Sequence, residues 1–355
     1  MHPPLHDRLH AKKLLAVLLL GGVLTGRAAA EDRHAAGAAA AAPDAAAGSQ
    51  KAEKPEKPEK IDNALIAELP ADSVTHHDLA LGGHHLGYTA TAGTLTLRDD
   101  KGEPSAKVFY VAYVADGQQA EHRPVSFFFN GGPWAGSAFL HLGAAGPLVL
   151  DFPASNPTDG ANAVLRPNPD SWLRFTDTVF IDAIGTGYSL PVKPDQAARL
   201  FWGVKQDGSA FADAIRIWLE RNKRERSPKY LVGESYGGVR SIKTAYALQT
   251  EQNIPLSGIV MVSPAIEMRL VGDSANPISN AILLSSLAAA ALEHDHKLTA
   301  KAADDAYHYA FGPYLSTLVG PLPEGEAARS FYGKVAEMTG LPENVVAKER
   351  AQIDP

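Results

Sequence analysis

The chain has 355 residues, 45% hydrophobic and 21% charged, with a formal net charge of −7. That composition is globular rather than disordered or fibrous, and the length suffices to bury a sizeable core. The negative charge and the lack of a lysine- and arginine-rich stripe argue against a nucleic-acid partner, while zero cysteines exclude disulfides, thiolate zinc and thiol nucleophiles together.

At the N-terminus, Lys12 and Lys13 precede an apolar run from Leu14 to Gly26, and Ala28-Ala29-Ala30 then offers a small-residue cleavage site. The run is too short to span a bilayer. Residues 1–30 therefore read as a secretory signal peptide, with no membrane attachment after its removal. An exported protein without disulfides suits the bacterial periplasm or medium. Residues 31–60 are alanine-rich and close on Glu53-Lys54-Pro55-Glu56-Lys57-Pro58-Glu59-Lys60. Such a repeat buries nothing and its prolines oppose a helix, so it reads as a solvated linker.

Order is expected from about Ile61. Residues 74–96 alternate polar and apolar with interspersed glycines, which predicts short strands and hairpins. Lys107–Ala115 predicts a strand ending at the Asp116-Gly117 turn. Val125–Phe129 is a continuous apolar strand that stops at Asn130-Gly131-Gly132, and Thr178–Asp182 is another, stopping at Gly185-Thr186-Gly187. Lys205–Arg221 carries Phe211, Ile215, Trp218 and Leu219 at helical spacing. Lys229–Val232 predicts a short strand, Val239–Gln249 a helix, and Ile259–Val262 the last clear strand. Fully apolar strands alternating with helices imply a mostly parallel sheet covered on both faces. From about Asn276 onward the composition is helical.

Gly233-Glu234-Ser235-Tyr236-Gly237 places a serine between a strand and a helix, as a nucleophile elbow requires. The turn aims the helix N-terminus and the Tyr236 amide at a developing oxyanion. Asn130-Gly131-Gly132-Pro133 supplies the complementary half, because paired glycines let a backbone N–H approach the substrate closely. The histidines at His76-His77 and His84-His85 do not suggest a metal site. Neighbouring strand residues face opposite ways, so each pair offers at most one ligand per face. No cofactor is expected.

The order and spacing of FFFNGGP at 127–133, Gly146-Pro147, IDAIGTGYS at 181–189 and GESYGG at 233–238 resemble the signatures of the serine carboxypeptidases, over roughly residues 72–270. The lack of cysteine and the SVTHH and LGYTATAGTL segments are similar to the bacterial branch. The resemblance implies an α/β-hydrolase core over residues 61–275 with a helical cap region over 276–355, and release of C-terminal residues from peptides. It implies Ser235 as nucleophile, the Gly132 and Tyr236 amides as oxyanion hole, and Asn130 with Glu234 near the substrate's terminal carboxylate. Two carboxylates repel, so Glu234 makes that contact only when protonated and under acid conditions; alternatively Glu234 is a charge hydrogen-bonded beneath the elbow.

Three departures stand out. Trp134 occupies a position where the family motif has glycine, and a bulky side chain there threatens the oxyanion loop. Ala144 falls where many members carry a second carboxylate-binding glutamate. The family's triad Asp and His lie beyond the cap, and no counterpart is found before Pro355. His294, His296 and His308 sit in helical, charged surroundings rather than in loops after core strands. On this reading the cap and the last core strands are incomplete and the chain as given has little peptidase activity. Two alternatives remain open: an inactive or binding-only relative, and a different α/β-hydrolase such as an esterase.

Overall fold

The computed structural model describes residues 64–81, 83–153, 160–270 and 275–352. The expected signal peptide and linker lie outside the described residues. The chain divides into two compact units, the first reaching Pro264 and the second beginning at Ala265; the composition change had suggested a boundary near residue 275.

The first unit is built on one sheet. In chain order its strands are β1 (Ser73–Leu81), β2 (His84–Arg98), β3 (Pro104–Ala115), β4 (Val125–Phe129), β7 (Asp177–Ile181), β8 (Leu190–Pro191), β9 (Lys229–Glu234) and β10 (Gly258–Val262). A separate hairpin pairs β5 (Leu148–Asp151) with β6 (Val164–Pro167). The order across the sheet is β1-β2-β3-β7-β4-β9-β10, with β8 against β3. Strands β7, β4, β9 and β10 run parallel, while β1, β2 and β3 form an antiparallel wing that joins β7.

The central strands alternate sides as their pleat dictates. Phe127, Phe129, Val179, Ile181 and Leu231 share a core with helix α1 (Val204–Asn222) and helix α2 (Tyr236–Thr250). Trp218 of α1 meets Phe127 edge-on at 5.5 Å, and Phe211 packs on Phe129 at 4.9 Å. On the other face, Phe128, Phe180 and Val232 pack with Leu140 and Ala145. Every residue of β4 and β7 is buried, which is why Phe127–Phe129 and Val179–Ile181 read as continuous apolar runs. At the opposite end of these strands, buried Asp177 accepts from Arg123 at 2.6 Å and Arg224 at 2.5 Å.

The chain leaves β4 for β7 on one side, then returns to β9 on the other. In a doubly wound sheet such a reversal opens a crevice at the carboxyl ends of the two flanking strands, where ligands bind. Here those strands are β4 and β9, with Phe129 opposite Gly233 in register.

In the second unit the principal helices are α3 (Pro277–His294), α4 (Ala300–Tyr309), α5 (Gly325–Thr339) and α6 (Glu343–Lys348), with no strand among the described residues. Asn276 caps α3 by accepting from the Ile278 amide, and Thr299 caps α4 by accepting from the Ala302 amide. Ala281, Leu284, Tyr314, Phe331, Val335 and Val346 form its core. The Tyr314 hydroxyl is buried and donates to the Ala351 carbonyl at 2.6 Å. No helix among the described residues is long and apolar enough to cross a membrane.

Candidate active site

Ser235 is the single residue between β9 and α2, at φ 58° and ψ −123°. A non-glycine residue in this region is strained, and the strain persists only where its surroundings enforce it. They do so on both sides: the Ser235 amide donates to the Val262 carbonyl at 2.9 Å, and its own carbonyl accepts from the Gly238 amide at 2.9 Å. The side chain makes no capping bond to α2 and is partly exposed, so Oγ is not diverted into holding the helix.

The loop after β4 lies directly against this turn. A methyl group placed on Gly131 would come within 2.9 Å of Ser235 Cβ and 2.8 Å of the Glu234 carbonyl. No other residue fits there. Gly132 takes φ +107°, which L side chains rarely adopt, and its bond to Pro133 is cis. The Gly131 amide turns toward Glu234 Oε2 at 3.4 Å. Among the described residues, the amides of Gly132 and Tyr236 donate to no acceptor. Tyr236 follows Ser235 directly, and the Gly131-Gly132 backbone packs against the same turn.

Asn130 and Glu234, both singled out by sequence, meet: Asn130 Nδ2 donates to Glu234 Oε2 at 3.0 Å. Asn130 is only 1% exposed, and its Oδ1 accepts from the Leu140 amide at 3.1 Å. One Nδ2 proton is thus spent on Glu234, leaving the second for another acceptor.

Further supports had not been foreseen. Arg240, buried on α2, pairs with Asp207 of α1 at 2.8 Å and donates to the carbonyls of Asn130 and Pro133. Asp182, just past β7, accepts from the Ser137 amide at 2.7 Å and the Ser137 hydroxyl at 2.8 Å. Burial raises the pKa of both aspartates, opposed by Ser137 at Asp182 and by Arg240 at Asp207. A sequence signal did exist for Arg240. It lies four residues after Tyr236, on the face of α2 that buries Gly237, Ser241, Thr244 and Leu248, and a charge on a buried stripe requires a partner.

Trp134 does not itself take a positive φ. Gly132 carries the positive φ, and Trp134 is 54% exposed with its ring edge-on to Trp202 at 4.5 Å. Ala144 lies on the turn His141–Ala145 and offers only its carbonyl, to Asn168 Nδ2 at 2.8 Å. His141 is held in the first unit against Phe180 at 4.4 Å, with Nε2 2.7 Å from the Tyr113 hydroxyl. Burial lowers its pKa to about 4. Of the later histidines, His294 and His308 are exposed in the second unit, each 3.4 Å from a neighbouring aspartate, Asp295 and Asp304. His296 is exposed as well. Among the described residues no His, Asp or Glu cluster could hold a metal ion.

A mixed sheet with parallel central strands, helices on its faces and a serine on a strained strand-to-helix turn defines an α/β-hydrolase architecture. The serine carboxypeptidase family model matches residues 83–297, more than half of the chain. The chain belongs to the serine carboxypeptidase family. It is 30% identical over 140 residues to Carboxypeptidase sxa2 of Schizosaccharomyces pombe, covering 38% of this chain and 25% of that protein. It is 31% identical over 125 residues to Serine carboxypeptidase-like 51 of Arabidopsis thaliana, covering 34% and 24%. The chain thus matches about a quarter of the length of each of these relatives. Among solved structures, the Kex1 prohormone-processing carboxypeptidase of Saccharomyces cerevisiae aligns with a TM-score of 0.43 and 18% identity, over 71% of this chain and 53% of that one.

Proposed function

We propose that this chain is an exported serine-type carboxypeptidase that releases C-terminal residues from peptides through an acyl-enzyme on Ser235. The observation that carries the reading is the strained Ser235 turn closed against Gly131, with the Gly132 and Tyr236 amides unspent beside it. In the proposed reaction Ser235 Oγ adds to the last peptide carbonyl and gives up its proton. The Gly132 and Tyr236 amides take the oxyanion. The C–N bond breaks, the released residue's amine leaves protonated, and water then cleaves the ester to restore Ser235. In this proposal Asn130 and Glu234 read the substrate's terminal carboxylate, for which the second Asn130 Nδ2 proton is left. The group that accepts the Ser235 proton is not assigned to His294, His296 or His308. Export is supported by Lys12-Lys13, the following apolar run and Ala28–Ala30.

The exposure of His294 and His308 favours a second reading, in which the core binds peptide C-termini without cleaving them. One experiment separates the two. An N-blocked dipeptide and its C-terminal amide are offered to the wild type and to Ser235→Ala at pH 5 and pH 7. Because no base is assigned to Ser235, the proposal expects slow release of the last residue from the free acid, at least tenfold faster than from the amide and absent in Ser235→Ala. Binding of the free acid with no turnover by either protein would establish the second reading. Equal cleavage of acid and amide would point to a general esterase or amidase.

A further inference from the structure

Arg240 is 1% exposed and spends its whole guanidinium inside the first unit. Nε donates to Asp207 Oδ2 at 2.8 Å, Nη1 to the Asn130 carbonyl at 2.5 Å and Nη2 to the Pro133 carbonyl at 2.9 Å. The group also lies over the rings of Phe211 at 4.6 Å and Tyr236 at 5.4 Å. A buried ion pair is a poor device for stability alone, since well-packed apolar residues serve as well or better. Its bonds here have a particular arrangement. Asn130 immediately precedes the Gly131-Gly132 pair and Pro133 immediately follows it, so one planar fork holds both ends of the most conformationally free dipeptide in the loop. The same side chain springs from α2, whose first residue is Tyr236. The two unspent amides beside Ser235 are therefore joined to each other through Arg240. Asp207 fixes the guanidinium from α1.

We propose that Arg240, oriented by Asp207, is a positioning residue that sets the oxyanion hole by clamping the Asn130–Pro133 loop onto helix α2. The inference rests on Ser235 being the nucleophile, and it concerns the chemical step rather than ground-state binding. Donors must lie about 2.7–3.1 Å from the oxyanion to act, so a loop free to drift loses rate before it loses affinity. An arginine is required because its donors are coplanar and fixed. A lysine, as a compact point charge, can reach one carbonyl but not hold both.

The test compares the wild type with Arg240→Met, Arg240→Lys and the double variant Asp207→Leu/Arg240→Met. The double variant removes both charges together, so neither is left buried and unpaired if the single variant fails to fold. The first readout is amide hydrogen exchange, which does not depend on catalysis. Residues 130–137 should exchange at least tenfold faster in Arg240→Met and in the double variant, with Arg240→Lys intermediate, while residues 209–219 of α1 keep wild-type protection. The second is the rate of Ser235 labelling by a fluorophosphonate against the affinity for an N-blocked amino acid, a product analogue. Labelling should fall at least tenfold with affinity changed less than threefold. Unchanged exchange over 130–137, or an equal loss of protection across the unit, would overturn the clamp. So would equal loss of labelling and affinity. If the wild type itself is not labelled, the reading of Ser235 fails, and the exchange result still decides whether Arg240 holds the loop.

Discussion

Replacing Gly131 by alanine adds one methyl group where the loop after β4 meets the Ser235 turn. That methyl would press first on the Tyr236 nitrogen, then sit 2.8 Å from the Glu234 carbonyl and 2.9 Å from Ser235 Cβ, all within or beside a turn already strained at φ 58°. Carbon contacts are comfortable near 3.5–4.0 Å, so loop and elbow must separate by about 1 Å. The loop cannot slide sideways to relieve this, because Asn130 is buried and bonded at its carbonyl, Oδ1 and Nδ2. Overpacking of this kind costs about 1–3 kcal/mol. The same 1 Å carries the Gly132 amide out of reach of the oxyanion, and loss of one such donor costs on the order of 100- to 1,000-fold in kcat. Urea unfolding gives the first quantity and fluorophosphonate labelling of Ser235 the second. Gly131→Ala is expected to unfold at lower urea with an unchanged m-value, and to label at least a hundredfold more slowly. A variant that labels at the wild-type rate would show that the Gly131-Gly132 segment does not face the reacting centre.

Other outcomes follow from the same geometry. Ser235→Gly relieves the left-handed strain and is expected to raise the unfolding free energy by about 1 kcal/mol while abolishing labelling; a destabilised glycine variant would contradict the strain. His141, with its pKa lowered by burial to about 4, takes up its proton mainly in the unfolded chain. Stability should therefore be lost as pH falls from about 6.5 to about 4, by at most about 3 kcal/mol, and change no further through this group below that. His141→Gln should flatten that part of the urea-midpoint profile, and an unaltered slope would remove His141 as its source. Trp134→Gly forfeits the contact with Trp202, worth on the order of 1 kcal/mol, and should leave the Ser235 labelling rate within about threefold of wild type; a large gain in rate would mean that the indole does obstruct the oxyanion loop.

Most of what the sequence disclosed came from segments whose side chains answer to one rule. Val125–Phe129 reads as a strand because both its faces are covered. The helix expected over Lys205–Arg221 extends to Val204–Asn222, and its buried face holds the expected Phe211, Ile215, Trp218 and Leu219. The elbow was legible because GxSxG stood between a strand and a helix. The β5–β6 hairpin escaped notice because its residues are half-buried or exposed, so no alternation marks them. The β1–β2 wing was legible as β structure but not as two long strands, since most of β1 faces solvent. Near Trp134 the positive φ falls on Gly132, two residues earlier, which the tryptophan's place in the motif did not reveal. The Arg240 clamp joins residues 110 apart in the sequence. Spacing cannot reveal such a contact; only the unexplained charge on the buried face of α2 hinted at it.

The central claim is that the fold makes Ser235 a nucleophile, and covalent capture tests it most directly. Residues 31–355 are treated with a fluorophosphonate, digested and sequenced by mass spectrometry, beside Ser235→Ala and a urea-unfolded control. The account predicts one phosphonylated serine, Ser235, in the folded wild type and none in either control. Labelling at another serine, or equal labelling of folded and unfolded protein, would contradict it.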